Sequence, residues 1–179
     1  MELDDCLENI SKGDIQSLEY LYNELKTPVY AFALSMVRSK AAAEDILQDT
    51  FIKVYEKASL YKLGNPKAWV LSITRNLSLD WLRRSRVVSP EDDGKLLNLI
   101  DATWSGDAAV SMIIDKMEVT SALLNIDEKE REIVVLHIIG RLKHIEIAKL
   151  LEIPEGTVRW KYRRALSKLS KSLGGEHYE

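Results

Sequence analysis

The chain has 179 residues, 46% of them hydrophobic and 30% charged, with 8 glycines and 4 prolines. That composition belongs to a folded, helical protein and excludes a disordered one. A single cysteine, Cys6, excludes an internal disulfide framework and a cysteine-based zinc site. No run approaches the ~20 apolar residues of a membrane span. The acidic amino-terminal residues lack an apolar core of signal-peptide length, so a cytoplasmic location is expected. The net charge of −3 conceals a pattern. Residues 62–86 carry six Lys and Arg against one Asp, and residues 119–173 carry eleven against seven acids. The segments 1–61 and 87–118 are each acidic by five charges. Basic blocks of this kind are expected where a protein meets nucleic acid, whatever its total charge.

Leu18, Leu21, Tyr22 and Leu25 predict a first amphipathic helix. Thr27-Pro28 predicts a cap and first residue of a second helix, with Tyr30, Ala33, Leu34 and Val37 inside. Residues 41–58 predict a third helix, in which Ala43, Ile46, Leu47, Thr50, Phe51, Val54 and Ala58 form one stripe. Asp45, Asp49 and Glu56 fall on the opposite face, flanked by Glu44 and Gln48. Ile52 falls among those acids, where it gains nothing from the core. An acidic face with an apolar centre suits docking on a basic partner helix.

The loop 59–64 holds Tyr61 and Lys62 beside Gly64, a composition able to receive an unstacked base. Asn65 and Pro66 then open a helix running to Arg86, as cap and first residue. Pro66, Val70, Ile73, Leu77 and Trp81 make its apolar stripe. A second stripe carries Asn76, Asp80, Arg83 and Arg84, with Asp80 one turn from both guanidiniums.

Periodicity fails from Val87 to about Asp107, and charge flips. This reads as a linker, too long for a connection within one compact domain, although Leu96, Leu97, Leu99, Ile100 and Trp104 make it unusually apolar. Residues 108–173 read as a second helical domain. Val110, Ile113, Ile114, Met117 and Leu124 mark its first helix. Asp127, with Glu130 three residues on, predicts a capping box and a helix to Gly140. A short helix over 143–151, a turn at Ile153–Thr157 and a last helix over 157–173 predict a helix-turn-helix. That last helix should bury Val158, Tyr162, Ala165, Leu166 and Leu169. The second helix of such a unit presents its first residues to base edges in the major groove. Here these are Thr157, Arg159, Trp160, Lys161, Arg163 and Arg164. Trp160 lies roughly opposite Val158 and Tyr162 and should face outward, towards a thymine methyl, a sugar edge or another protein.

Nothing points to catalysis, a cofactor, a metal or a small-molecule substrate. His137, His144 and His177 form no HExxH arrangement, and phosphate-loop and nucleophile-elbow motifs are absent from the sequence.

Three motifs, in this order, carry a resemblance. Ala43-Glu44-Asp45-Ile46-Leu47-Gln48-Asp49-Thr50-Phe51 resembles the pattern AED-x-x-Q-D/E-x-F. Trp69, followed by Arg75-Asn76-Leu77 and Asp80-Trp81-Leu82-Arg83-Arg84, resembles W-x(5)-RNL-x-x-D-x-LRR. Ile147-Ala148 with Ile153-Pro154-Glu155-Gly156-Thr157-Val158-Arg159 resembles IA…GIP-x-GTV-K/R. Together they resemble the bacterial extracytoplasmic-function (ECF) sigma factors of the sigma-70 family, over about residues 15–173. The resemblance departs at Lys143-His144, where the family often has a Tyr-Glu or similar pair. It departs again at Glu152, usually glycine, and at Trp160, commonly a small residue.

The resemblance implies an all-α protein of two small helical domains joined by a flexible acidic linker. A region 2 domain would span 1–86, a linker 87–107, a region 4 helix-turn-helix domain 108–173 and a tail 174–179. Asp45, Gln48, Asp49 and Ile52 would dock on the clamp helices of the large subunit of core RNA polymerase. Tyr61, Lys62, Asn65, Asn76, Arg83 and Arg84 would engage the −10 element of promoter DNA and trap an unstacked base. Thr157, Arg159, Trp160, Lys161, Arg163 and Arg164 would read the −35 duplex. The linker would thread through polymerase. An anti-sigma factor would hold the free protein, often at the membrane. The alternative is a helix-turn-helix regulator that binds operator DNA without polymerase, which explains 108–173 but leaves the acidic helix unused. A DNA-free adaptor would leave both basic blocks incidental.

Overall fold

The computed structural model describes residues 2–62, 64–88, 122–123 and 125–172. All regular structure among them is helical, as expected of an all-α chain. The chain divides into two compact units, 1–100 and 101–179. Most of the expected helix around Val110–Leu124, most of the 87–107 linker and the 174–179 tail lie outside the described residues.

The first unit holds α1 (Leu3–Ser11), α2 (Ile15–Val37), α3 (Lys40–Lys57), a 3-10 turn (Ala58–Leu60) and α4 (Pro66–Val88). Helix α1 lies ahead of the first helix expected from the sequence. Cys6, Leu7 and Ile10 are nonetheless buried at helical spacing, and Asp4 and Asp5 sit in the first turn, where the helix dipole favours acids. The expected break at Thr27-Pro28 is also absent. One helix runs through Pro28, capped at its start by Asp14, which accepts from the Gln16 N–H. An interior proline costs ~3 kcal/mol. Burial of Leu21 and Leu25 before it, and of Val29, Tyr30, Phe32, Ala33, Met36 and Val37 after it, offsets that cost.

α3 and α4 pack on α2 and on each other. Ser39 caps α3 through the Ala42 N–H, and Ala42, Ala43, Ile46, Leu47, Thr50, Phe51 and Val54 are buried. Asn65 caps α4 through the Ala68 N–H at 3.1 Å. The deeply buried stripe of α4 is Val70, Leu71, Thr74 and Ser78, while Ile73, Leu77 and Trp81 are half-buried. The expected stripe is thus right at Pro66 and Val70 and rotated beyond them. Small hydroxyl side chains cause the rotation. Thr74 and Ser78 donate to the carbonyls of Val70 and Thr74, so neither needs a distant partner. Thr50 and Thr74 meet at the α3–α4 crossing, their oxygens 3.4 Å apart.

The second unit contains α5 (Glu128–Ile138), α6 (His144–Leu151) and α7 (Glu155–Ser172). Asp127 caps α5 by accepting from the N–H groups of Lys129 and Glu130. The Gly140 N–H closes the helix end on the Val135 carbonyl, and the left-handed residue beyond is Arg141. Ala122, Ile126, Val134, Ala165 and Leu169 form a buried cluster with Leu123 and Tyr162 against it. α7 starts at Glu155, two residues earlier than expected, because the Pro154 carbonyl already accepts from Thr157 and Val158. Leu166 is 39% exposed, against expectation. At 100° per residue the buried line runs through Val158, Ala165 and Leu169 and leaves position 166 to the side.

Candidate functional site

In the first unit, α3 separates its two faces cleanly. Asp45, Gln48, Asp49 and Ile52 are all exposed, Ile52 at 55%. Tyr55 follows on the same side, also exposed, and was not singled out from the sequence. It continues the spacing from Asp45, so the periodicity itself could have found it. Lys53 and Glu56 pair at 2.7 Å beside it. An exposed apolar Ile52–Tyr55 centre with an acidic rim has the anatomy of a protein-docking face.

The α3–α4 crossing leaves an open cleft of about 580 Å³. Asp45 and Asp49 line one wall, and Leu77, Trp81 and Arg84 line the other. The acidic face of α3 and the basic end of α4 therefore meet at one place. Asn76, Arg83 and Arg84 are exposed along α4. Arg83 pairs with the Asp80 carboxylate, and the Arg84 Nε–H donates to the Asp80 carbonyl at 3.3 Å. Asp80 thus restrains both guanidiniums, one through its side chain and the other through its backbone.

The loop before α4 is more occupied than its composition predicts. Tyr61 is half-buried, and its hydroxyl donates to Asp4 of α1 at 2.5 Å while accepting from the Gly64 N–H at 3.1 Å. Burial, then the Asp4 carboxylate, push the Tyr61 hydroxyl up to about 12. The ring meets Trp69 edge-on, with centroids 5.4 Å apart. Asn65 spends a side-chain oxygen on the α4 cap. Of the three loop residues Tyr61, Lys62 and Asn65, Lys62 alone is exposed.

In the second unit, α6 and α7 are joined by the three residues Glu152–Pro154, with Glu152 in the left-handed region at φ 56°. The Ile153 N–H returns to the Ala148 carbonyl and closes the turn. This geometry aims the first turns of α7 outward. Arg159, Trp160, Arg163 and Arg164 are exposed, Trp160 at 55%, while Thr157 and Lys161 are half-buried. Arg159 pairs with Glu155 one turn back at 2.6 Å.

Two of these cations are anchored to α5. Glu130 is fully buried, and its carboxylate lies 2.7 Å from Lys168 Nζ and 3.2 Å from Arg164 Nε. Asp127 lies 3.7 Å from Lys161. Burial pushes the Asp127 carboxyl up, but the capping N–H groups and the Lys161 charge outweigh it and hold it below its ordinary value. Glu130 was expected as the second half of a capping box; its side chain instead reaches across to α7. Arg164 and Lys161 also lie over the Trp160 ring, 5.1 and 5.9 Å from its centroid.

Among the described residues no group of three or more His, Cys, Asp and Glu side chains could hold a metal ion. No helix among them is long and apolar enough to cross a membrane.

Comparison with known proteins accounts for both units. The family description Sigma-70 region 2 matches residues 21–87, and Sigma-70, region 4 matches residues 116–169. The ECF RNA polymerase sigma factor SigW of Bacillus subtilis is 27% identical over 177 residues, spanning 93% of this chain and 94% of SigW. SigM of the same organism is 26% identical over 153 residues, spanning 86% and 93%. Among solved structures, the sigma factor RpoE bound to the anti-sigma factor NepR from Bartonella quintana aligns with a TM-score of 0.70 and 25% identity. It covers 87% of this chain and 97% of that one. CnrH bound to the cytosolic domain of CnrY shares the fold, with a TM-score of 0.68 at 21% identity over 97% and 98% of the two chains. The chain therefore belongs to the sigma-70 family, as an RNA polymerase sigma factor of the ECF type.

Proposed function

We propose that the two units divide promoter recognition between them. Residues 1–86 dock on core polymerase and take the −10 element, residues 108–173 read the −35 duplex, and 87–107 link them. Asp45, Gln48, Asp49 and Ile52 form the polymerase face, with the clamp helices of the large subunit as partner. Asn76, Arg83 and Arg84 contact −10 DNA together with Lys62, while Tyr61 and Asn65 support the loop from inside. Thr157, Arg159, Trp160, Lys161, Arg163 and Arg164 belong to the −35 surface. The protein performs no catalysis itself; polymerase supplies the chemistry. It works in the bacterial cytoplasm. By analogy with the NepR and CnrY complexes, an anti-sigma factor, which can be membrane-held, sequesters it.

The observation that carries this reading is α7, whose first turns hold Arg159, Trp160 and Arg163 outward behind a three-residue turn. An operator-binding regulator would share that feature but would have no use for the region 2 match or the acidic face of α3. Run-off transcription tests the proposal. Core polymerase with this protein, on a pool of promoter fragments, should give protein-dependent transcripts sharing a pair of upstream elements. Tight duplex binding by the protein alone, with no transcripts, would favour the regulator instead.

A further inference from the structure

Trp160 is the largest apolar group that α7 exposes, and it belongs to the surface proposed above for the −35 duplex. Its orientation is braced by a relay that starts in the interior. The fully buried Glu130 carboxylate forms an ion pair with Arg164 at 3.2 Å from Nε, a charge attraction without a hydrogen bond, and the Arg164 guanidinium in turn sits 5.1 Å from the indole centroid. Lys161, near Asp127, approaches the same ring at 5.9 Å. Contacts of this distance attract a cation to the indole face and restrict the ring. Arg164 is therefore less free to reach a guanine than its exposure suggests. Its geometry suits a brace.

A braced indole has one natural partner among the groups of the major groove. Three of the four bases present only donors and acceptors there, and thymine alone adds a methyl group. The indole N–H is a donor only and makes no bidentate pair with a base edge. We infer that Trp160 is a specificity-determining residue which reads the C5-methyl of a thymine in the −35 element, and that Glu130 and Arg164 are positioning residues for it. The inference rests on the proposal that this helix-turn-helix reads the −35 duplex.

Replacing each −35 thymine by deoxyuridine removes the methyl and leaves the base pair intact. The probe is the promoter fragment selected by run-off transcription, bound by holoenzyme assembled from core polymerase and the full chain. Binding by the wild-type protein should weaken about fourfold at one or two thymines, the factor that burial of one methyl group at ~0.8 kcal/mol implies. Trp160→Ala should bind the thymine form with that same loss and be indifferent to uracil. Trp160→Phe should retain part of the discrimination. Glu130→Gln should reduce the thymine-to-uracil ratio by loosening the brace, and Arg164→Gln makes the same test if the Glu130 variant does not fold.

Indifference of the wild-type holoenzyme to uracil, with Trp160→Ala still weakened, would overturn the inference in favour of a sugar contact. Unchanged binding by Trp160→Ala would overturn it in favour of a protein partner. A −35 element without thymine would overturn it outright. If sequence upstream of −10 has no influence on binding, the −35 proposal itself fails, a result distinguishable from the others.

Discussion

The hydroxyl of Tyr61 donates to a carboxylate oxygen of Asp4 at 2.5 Å and joins α1 to the loop that opens α4. Hydrogen bonds to charged acceptors contribute ~1.5–3 kcal/mol. Tyr61→Phe should therefore destabilise the first unit by about 2 kcal/mol, measured by urea denaturation. The raised pKa also fixes a sign. The folded state favours the protonated phenol, so its contribution is present below about pH 10 and is lost as pH rises towards about 12. In ultraviolet titration, Tyr61→Phe should remove one late-ionising tyrosine. Tyr30, pushed up to about 12 mainly by burial, should remain.

Glu152 should tolerate glycine better than glutamate. Its φ of 56° and ψ of 43° lie in the left-handed region, which costs a non-glycine residue ~1–2 kcal/mol. Glycine brings back ~0.5–1 kcal/mol of unfolded-state entropy. Glu152→Gly should thus stabilise the second unit by up to about 1.5 kcal/mol, and Glu152→Val should destabilise it. A loss of stability with glycine would mean that the turn is not under strain.

These two sites mark the boundary of what local pattern discloses. The faces of α3 and the outward Trp160 are legible because each is decided within one helix by a 3.6-residue period, and the Asn65 cap because its side chain and the following Pro66 decide it locally. Helix α1 is short, and its buried residues Cys6, Leu7 and Ile10 span little more than one turn, too few to set a period on their own. Pro28 misled because burial on both sides outweighs a local break signal. Thr74 and Ser78 were missed as core because they satisfy their hydroxyls on their own helix. Glu130 has the spacing of a capping box, yet Lys168 is 38 residues away, and no local rule reports that partner. The Asp4–Tyr61 bond spans 57 residues and was invisible for the same reason.

The acidic face of α3 should be separable from the fold. Asp49 and Ile52 are both exposed, so Asp49→Lys with Ile52→Lys removes no core contact. Docking centres typically lose ~2 kcal/mol or more on disruption. Association with core polymerase should fall by at least about thirtyfold, with an unchanged melting temperature. Retained association would remove α3 from the polymerase interface.

Asn76 should matter after polymerase has bound. It is exposed on α4, one turn before Asp80, which tethers Arg83 and Arg84. Asn76→Ala should slow open-complex formation by about fivefold or more, the factor implied by the ~1 kcal/mol lower end of a good base contact, with core binding intact. Unchanged opening, followed with a fluorescent base in the −10 element, would argue against a −10 role for this face.

The second unit should lose stability in mild acid. His144 stacks on His137 with centroids 4.5 Å apart and meets Tyr162 at 5.1 Å. Burial, the neighbouring His137, and then Arg159 and Arg163 all disfavour its protonated form; Glu155 opposes them but does not prevail. Its pKa is therefore lowered in the folded state. The sign follows from linkage: the unfolded chain binds the proton more readily, so stability is present above about 6.5 and is lost as pH falls below it. Between pH 7.5 and 5.5 the melting temperature of the second unit should drop, and His144→Phe should flatten that dependence while keeping the ring packing. An equal drop in the variant would locate the acid sensitivity elsewhere in the fold.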